Sequence, residues 1–423
     1  MTSPVWHPYT QHGLGDPVPL VARTEGAALF TADGRRVIDA ISSWWVITHG
    51  HRHPPIMAAI RQATETMDQI IFAGWTHAQA EELAAGLIAI MPPALTHVFF
   101  SDSGSTAVEV ALKMALGFWL NTGRPRHRIV VMAHSYHGDT IGTMSVGARG
   151  VFNRAYEPLL FDVATLPFPA PGQEQETLDA LEALARAGEP PAALILEPLI
   201  LGAGGMLIYP PWVLAALHAI CRRHRILFIA DEVMTGWGRT GTLLACAQAE
   251  VVPDILCLSK GLTGGAVPLA VTMATAEIFE AHRSTDPAKA FFHSSSYTAN
   301  PIACAAANAN LAIWRNEPVR DRIAALGARQ RTFAAEAGSL PTVSNARSLG
   351  TIAAFELQDP RSDYLSALGL ALRRFFADRD ILLRPLGNTI YVMPPFCIGD
   401  EDLARVHATI LEIAANPRSL RNG

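Results

Sequence analysis

Lysine is almost absent from this chain of 423 residues. Only Lys113, Lys260 and Lys289 occur, although lysine and arginine together number 33. Arginine stays protonated at neutral pH and is a poor covalent nucleophile. Covalent chemistry that needs a side-chain amine can therefore use only one of these three lysines.

Other absences exclude whole classes of protein. The five cysteines are odd in number and far apart, which argues against a disulfide framework and indicates a reducing compartment, so we expect the cytoplasm. No apolar run approaches the roughly 20 residues that cross a bilayer. The N terminus lacks a basic start followed by an apolar core, so we expect no secretory signal and no membrane partner. The net charge is −5 without a basic run, so nucleic acid is not an expected partner.

Short apolar runs alternate with helical patterns between about residues 95 and 275. Apolar runs without polar alternation are typical of parallel strands covered on both faces. The pattern predicts an α/β fold with a mainly parallel sheet sandwiched by helices, and a ligand site beyond the strand carboxyl ends. The expected strands cover residues 97–101, 128–132, 192–196, 226–230 and 255–258.

The chain is expected to divide into three parts. Residues 56–314 would form the large domain that contains this sheet. Residues 315–423 contain two helical stretches and short strand candidates, which predicts a smaller α+β domain. Residues 1–55 have strand-like pieces of their own and are expected to pack with the small domain.

Two of the apolar runs end in an ionisable residue. One run ends at Asp231, and the next leads to Lys260 and a glycine-rich turn. If these strands are neighbours, a carboxylate and an amine lie at corresponding ends. That arrangement suits an aldehyde cofactor held as a Schiff base, with the carboxylate keeping its ring nitrogen protonated. Lys113 and Lys289 lie in a helical and a polar stretch, so both are interpreted as solvated charges.

Further candidates follow the other strands. Gly104 and Ser105 open a helix whose free N–H groups would bind phosphate, although an ordinary serine cap is the alternative. Tyr136 could stack on a flat cofactor and Asp139 could orient a substrate amine; the alternative is a turn with a half-buried tyrosine. Glu197 ends another apolar run, where a buried carboxylate would need hydrogen bonds and could support the site.

Aromatic residues near the N terminus suggest one wall of a pocket, or simply core. They are Tyr9, Trp44 and Trp45, and such a wall would accept a cationic or long apolar substrate. Arg384 ends a strand-like run and could clamp a substrate carboxylate or lie at the surface.

Three alternate histidines, His49, His51 and His53, raise the question of a metal-dependent hydrolase. No acidic or cysteine partner lies close in sequence, and a zinc site needs a fourth ligand. We therefore expect no metal.

The order of these motifs resembles that of the class III aminotransferases, which use pyridoxal phosphate on the fold-type I scaffold. Nearly the whole chain takes part in the resemblance. The motifs are Asp-Ser-Gly-Ser at 102–105, Tyr-His-Gly-Asp at 136–139, Glu-Pro at 197–198, Asp-Glu-Val-Met-Thr-Gly-Trp-Gly-Arg-Thr-Gly at 231–241 and Ser-Lys-Gly-Leu-Thr-Gly-Gly at 259–265.

The resemblance implies a role for each residue. Lys260 would bind the pyridoxal 5'-phosphate aldehyde and move a proton, Asp231 would pair with the pyridine nitrogen, and Tyr136 would stack on the ring. Gly104 and Ser105 would bind the phosphate. Tyr9, Trp44, Trp45 and Arg384 would line the substrate pocket, with Arg384 on a carboxylate.

The family also implies a homodimer in which a hydroxyl of the partner subunit reaches the phosphate. Its best-known members have Gly-Pro-Thr-Phe where this chain has Ser294-Ser295-Ser296-Tyr297. Ser296 keeps the hydroxyl of the threonine position, beside Ser295. Ser294 replaces a glycine whose backbone approaches substrate, so the local pocket geometry is left open.

Within the class, three segments are similar to the branch that aminates 8-amino-7-oxononanoate in biotin synthesis, usually with S-adenosylmethionine as donor. They are residues 6–10, 42–45 and 300–308. Lysine as donor remains open. Two further functions also remain open, namely an ω-amino-acid aminotransferase of the 4-aminobutyrate or β-alanine:pyruvate type, and a non-catalytic cofactor-binding domain.

Overall fold

The computed structural model describes residues 3–358 and 367–421, and the following elements lie within these ranges. The strands are β1 Val21–Glu25, β2 Ala28–Thr31, β3 Arg36–Asp39, β4 Leu95–Ser101, β5 Ile129–Met132, β6 Ala164–Leu166, β7 Ala193–Leu196, β8 Ile200–Leu201, β9 Leu207–Ile208, β10 Leu227–Asp231, β11 Ile255–Leu258, β12 Ala270–Thr275, β13 Val343–Leu349, β14 Ile352–Leu357, β15 Ile381–Leu382 and β16 Thr389–Val392.

The helices surround these strands. They are α1 Ser42–Trp45, α2 Pro54–Thr64, α3 Ala78–Ile90, α4 Gly104–Asn121, α5 Ile141–Ser145, α6 Glu174–Arg186, α7 Pro211–His224, α8 Ala276–His282, α9 Pro301–Asn316, α10 Val319–Gly338, α11 Ala367–Ala377 and α12 Asp400–Ala415. The first of these is a single irregular turn, since two of its four residues have non-helical backbone angles. No described helix is long and apolar enough to cross a membrane.

The central sheet has seven strands in the order β4-β12-β11-β10-β7-β5-β6. Pairing is parallel from β11 through β10, β7 and β5 to β6, which confirms the α/β prediction. Every residue of β5, β7, β10 and β11 is buried. Helices on both faces exclude water from these strands, which explains why the runs are continuously apolar.

Two strands of this sheet were missed in the sequence. β6 has only three residues, too few for a periodic pattern. β12 runs antiparallel between β11 and β4, and its two threonines, Thr272 and Thr275, weaken the apolar signal. A proline-rich loop follows β6, and Phe168 of that loop packs against the core.

The beginning and the end of the chain meet in a second sheet. β1, β2 and β3 form an antiparallel meander, and β15 joins β3 in parallel through the pair Leu382 and Asp39. A third sheet has the order β13-β14-β16. The pairing of β3 with β15 supports the proposal that residues 1–55 belong with the C-terminal part.

A glycine couples the third sheet to the loop after β10. Gly350 lies between β13 and β14 at φ 54°, and a Cβ there would come within 2.2 Å of the Gly241 nitrogen. Thr351, the next residue, donates its backbone N–H to the Arg239 carbonyl at 2.9 Å. The two parts of the chain therefore meet backbone to backbone, with no room for a side chain.

This contact predicts that Gly350→Ala lowers the free energy of unfolding by about 3 kcal/mol, since the added methyl group overpacks backbone against backbone. Gly34→Ala is the matched control, because its φ is 90° but nothing lies within 4 Å of the added atom. The control should lose only about 1 kcal/mol, from the left-handed backbone alone. Denaturant unfolding of both variants is the measurement, and equal losses would contradict the packing argument.

Candidate active site

Lys260 lies at the point where the two predicted strands end side by side. β10 and β11 are parallel neighbours in which Asp231 pairs with Cys257, so Lys260 follows three residues beyond that register. This confirms the predicted adjacency. The backbone of Lys260 has φ 45°, in the left-handed region, and opens a 3₁₀ turn that ends at Thr263. A strained residue at a strand end is typical of a functional site.

A cavity of about 150 Å³ lies beside the lysine, lined by Trp45, Gly104, Ser105, Tyr136, His137, Gly138, Glu197, Asp231, Val233, Met234, Ser259 and Lys260. Most of the residues expected to hold the cofactor therefore come together. Burial lowers the pKa of Lys260 to about 8, although Asp231 and Glu197 oppose this shift. The Lys260 Nζ atom lies 5.0 Å from the centre of the Trp45 ring.

Asp231 is held in place by hydrogen bonds to both of its carboxylate oxygens. The Oδ2 atom lies 2.7 Å from His137 Nδ1, and the Oδ1 atom accepts the Val233 N–H at 3.0 Å. The His137 side chain is fully buried, and its Nε2 atom has no hydrogen-bond partner among the residues that the structure describes. The carboxylate is thus fixed on the cavity wall with a histidine behind it.

His137 was missed in the sequence, although it lies inside the motif from which Tyr136 and Asp139 were chosen. Its contact with Asp231 spans 94 residues. The sequence could have indicated His137 only through this motif, since a histidine between two candidate residues is itself a candidate.

Glu197 supports the cavity from the neighbouring strand. It accepts the backbone N–H of Tyr136 at 3.0 Å and that of Gly202 at 2.9 Å. Burial raises its pKa to about 7, and the nearby charge of Asp231 contributes to that rise. Its hydrogen bonds fix the backbone that presents Tyr136, which agrees with the supporting role expected from the sequence.

The start of α4 forms the opposite end of the cavity. Ser103 and Thr106 make a reciprocal capping box, so this pair satisfies its own backbone donors. Gly104 and Ser105 remain directed at the cavity. A Cβ on Gly138 would lie 2.1 Å from the Ser105 Oγ atom. The glycine therefore lets the Tyr136 loop approach the helix start, where N–H groups and the helix dipole favour an anion.

The predicted substrate residues form a second cluster next to this cavity. The Tyr9 hydroxyl donates to Asp139 Oδ2 at 2.7 Å, and Arg384 donates to the Tyr9 carbonyl at 2.9 Å. The Trp44 ring lies 5.5 Å from the Tyr9 ring and 5.3 Å from the Arg384 guanidinium. Tyr136 borders both regions, and burial together with Asp139 raises its pKa.

Three predicted residues lie apart from this cavity within one chain. Ser294 and Ser296 are exposed. Ser295 donates its hydroxyl to Asp102 Oδ2 at 2.6 Å and is not part of the cavity lining. A role for Ser295 or Ser296 at the phosphate, or for Ser294 at the substrate, therefore requires a second copy of the chain.

The three histidines of 49–53 point to three different partners. His51 Nε2 lies 2.8 Å from Asp39, and His53 Nε2 lies 3.4 Å from Glu317. His49 Nε2 lies 2.8 Å from Asn310 Oδ1. No cluster of three potential metal-ligating side chains was found among the described residues.

Asn310 links His49 to the turn that Lys260 opens. Its amide donates to the Gly261 carbonyl at 3.1 Å and to the Leu262 carbonyl at 2.9 Å. The turn that Lys260 opens is thus fixed from behind by a buried asparagine and histidine.

Lys113 is exposed, which agrees with its interpretation as a solvated charge, whereas Lys289 is less exposed than expected. Lys113 donates to the Phe292 carbonyl at 2.5 Å and lies 5.8 Å from the Phe291 ring, because the chain around 291–293 folds over α4. Lys289 is half-buried. Neither lysine lines the cavity that contains Lys260.

The fold and site define an aminotransferase of the kind that uses pyridoxal phosphate, and comparison with known proteins agrees. The model of the family "Aminotransferase class-III" matches residues 9–414. The chain belongs to this family.

Relatives of known name are similar over almost the whole chain. Adenosylmethionine-8-amino-7-oxononanoate aminotransferase of Synechococcus elongatus is 46% identical over 420 residues, covering 97% of this chain and 98% of the relative. The protein of the same name from Anoxybacillus flavithermus is 39% identical, covering 96% and 94%.

Solved structures share the fold. The aminotransferase of that name from Methanocaldococcus jannaschii superposes with a TM-score of 0.93 at 32% identity, covering 98% of this chain and 97% of the other. An amine transaminase from an uncultivated Pseudomonas species, solved in its PLP-bound form, has a TM-score of 0.90 at 31% identity, covering 99% of both chains.

The residues present fit the cofactor of the class. Lys260 offers an amine, Asp231 a fixed carboxylate, and Gly104 and Ser105 a cradle for a phosphate. The orphaned Nε2 of His137 also lies in this cavity wall. Pyridoxal phosphate needs these donors and acceptors, and they converge on one cavity.

The geometry predicts that, in the cofactor-free enzyme, the Lys260 amine loses its proton near pH 8. Burial favours the neutral form, so the pKa lies below the usual value and the amine is charged and unreactive at lower pH. Reductive methylation with formaldehyde across a pH series, read by peptide mass spectrometry, measures this midpoint. Lys289 is the internal reference in every sample. A Lys260 midpoint near pH 10 would contradict the desolvation argument.

Proposed function

We propose that this enzyme converts 8-amino-7-oxononanoate to 7,8-diaminononanoate in biotin synthesis, with S-adenosylmethionine as amino donor and ping-pong kinetics. The observation that carries the proposal is the pairing of two sites: a buried amine with a fixed carboxylate, and beside it an aromatic wall that contains one arginine and one aspartate. The names of the relatives support the same reaction.

Bound pyridoxal phosphate supplies an aldehyde for covalent linkage to amines and a pyridine ring that withdraws electrons. Asp231 holds a proton at the ring nitrogen, and its own position is fixed by His137 and the Val233 N–H. Lys260, with a pKa near 8, is the base that takes a proton from the donor's α-carbon and returns one to the acceptor. Tyr136 covers the ring face, and Glu197 fixes its backbone.

The substrate wall suits an amino acid with a long apolar chain. Arg384 binds the carboxylate of 8-amino-7-oxononanoate, because a guanidinium recognises a carboxylate with two parallel hydrogen bonds. Asp139 and the Tyr9 hydroxyl, already 2.7 Å apart, bind the substrate amine. Trp44 and Trp45 contact the apolar chain, and the same aromatic faces attract the sulfonium of S-adenosylmethionine.

Two rival functions remain within the class. Amine and ω-transaminases are among the solved structures of similar fold, with TM-scores of 0.90 for examples at 31% and 27% identity. The paired Trp44 and Trp45 and the N-terminal Tyr9 favour the oxononanoate reaction. Tyr9 and Trp44 lie against Arg384, and Trp45 lines the cavity that contains Lys260. Lysine could also replace S-adenosylmethionine as donor.

A donor experiment separates these functions. The purified enzyme should absorb near ~420 nm, typical of pyridoxal phosphate on a protein lysine. S-adenosylmethionine should bleach this band, and 8-amino-7-oxononanoate should restore it. Lys260→Ala should lose at least ~10⁴-fold in turnover, because the proton-transfer base is gone. Lys289→Ala is the control and should react like the wild type. Bleaching by 4-aminobutyrate or lysine instead would replace the proposed donor.

We further infer that the working enzyme is a cytoplasmic homodimer. Ile71, Trp75, Phe292 and Tyr297 are exposed large apolar residues, each with more than 60% of its surface accessible. They flank segments that are hydrogen-bonded to each other, since Gln69 donates to the Ser296 carbonyl at 3.0 Å. Large apolar residues exposed in this way typically mark a protein interface. An interface at these segments would present Ser294, Ser295 and Ser296 to the partner's cavity.

Mixed dimers test whether Ser296 acts across the interface. Lys260→Ala and Ser296→Asp should each inactivate a homodimer, because one lacks the amine and the other repels the phosphate. A hybrid of the two retains one intact site if Ser296 serves its partner. Random mixing should then restore about a quarter of the wild-type activity.

The matched control replaces Ser296→Asp by Ser284→Asp, at another exposed serine. That homodimer should remain active before mixing. No recovery in the Lys260→Ala and Ser296→Asp mixture, with hybrids demonstrated by mass, would show that Ser296 does not act in trans.

A further inference from the structure

Asp39 is a buried carboxylate that the proposed chemistry does not use. It ends β3, its side chain is fully buried, and it lies 2.8 Å from His51 Nε2. A buried charge is costly unless it is paired and hydrogen-bonded. We therefore expect the buried carboxylate of Asp39 to have a structural or functional role.

The Asp39 carboxylate accepts hydrogen bonds from the turn 42–45, which contains Trp44 and Trp45, and from Ile41 just before it. The Ser43 N–H donates to both oxygens, at 2.8 and 2.7 Å, and the Ile41 N–H donates to Oδ1 at 3.2 Å. The Ser43 hydroxyl adds a contact at 3.3 Å. With His51, these donors occupy both oxygens of the carboxylate.

This turn does not hold its shape by itself. Ser42, Ser43 and Trp45 have φ angles of 54°, 59° and 65°. Residues other than glycine rarely have a positive φ. Three such residues within four positions persist only if the surroundings over-determine them. Asp39 provides the hydrogen bonds at the start of the turn.

Arg239 holds the far end. Its guanidinium is buried and donates to the Ile47 carbonyl at 2.7 Å and to the Pro394 carbonyl at 3.0 Å. Within the turn, the Trp45 indole N–H donates to the Tyr391 hydroxyl at 3.0 Å. Trp44 makes no such polar contact in the described residues. Its surface is 42% exposed, and its ring lies against Tyr9 and Arg384.

We propose that Asp39, oriented by His51, is a positioning residue that fixes the strained turn 42–45 and thereby sets Trp44 and Trp45 as the substrate wall. It touches neither substrate nor cofactor. The effect on substrate binding rests on the proposed function, whereas the effect on the turn does not. The central histidine of the 49–53 trio thus receives a role other than metal binding.

Hydrogen exchange tests the turn without reference to activity. In Asp39→Asn the amide side chain cannot accept hydrogen bonds on both atoms, so backbone N–H groups in residues 41–46 should exchange at least ~10-fold faster in the pyridoxal-phosphate-loaded enzyme. Asp33→Asn makes the same chemical change at an exposed site on the preceding hairpin turn. It should leave exchange in this segment unchanged.

Steady-state kinetics then tests the consequence for substrate. Asp39→Asn should raise KM for 8-amino-7-oxononanoate about tenfold and change kcat less, because a displaced wall weakens binding while Lys260 and Asp231 stay in place. Asp33→Asn should keep both constants. Unchanged exchange, or faster exchange with an unchanged KM, would overturn the proposal.

Failure of the proposed function, or of the variant to fold, can be distinguished from failure of the proposal on Asp39. If the wild type does not accept 8-amino-7-oxononanoate, the proposed function fails, and KM is measured with an amine that does bleach the cofactor band. If Asp39→Asn does not fold, His51→Gln takes its place, with a smaller change of the same kind expected in exchange and KM. Wild-type values of both in a folded His51→Gln variant would overturn the proposal.

Discussion

The parallel pairing of β10 with β11 is the constraint on which the active site depends. It sets Asp231 level with Cys257 and so brings the Lys260 amine, three residues on, to the same edge of the sheet. Both strands are entirely buried, so neither can slip without exposing its apolar side chains. The carboxylate and the amine are therefore held as firmly as the core itself.

Burial at that edge changes the chemistry of the groups it holds. It lowers the pKa of Lys260 to about 8 and raises that of Glu197 to about 7, so two groups of opposite type titrate near neutral pH. Perturbed titration of this kind is common at catalytic sites. Lys260 and Glu197 lie apart from the neighbouring cluster of Tyr9, Asp139 and Arg384, which we call the outer site. The side chains of the outer site are partly accessible to solvent. Chemistry and substrate selection thus occupy neighbouring but different environments.

The sequence predicted the inner site better than the outer one, for a physical reason. Asp231 and Lys260 each follow a short apolar run, and parallel strands must end at a common edge, so their proximity follows from local patterns. The contact of Tyr9 with Asp139 spans 130 residues, and no local pattern contains that distance. The strained turn at 42–45 was equally hidden, because its geometry depends on Asp39 and Arg239 rather than on its own residues. Residue type made Tyr9, Asp139 and Arg384 candidates, but only the family resemblance favoured their functional role over the structural alternative.

The scarcity of lysine makes the central claim open to a direct test. Borohydride should reduce the linkage between the enzyme and its cofactor, and peptide mass spectrometry should then find the added mass. We expect it on the peptide that contains Lys260 and nowhere else. A label on Lys113 or Lys289, or no label on a yellow enzyme, would contradict the assignment of the reactive amine to the end of β11.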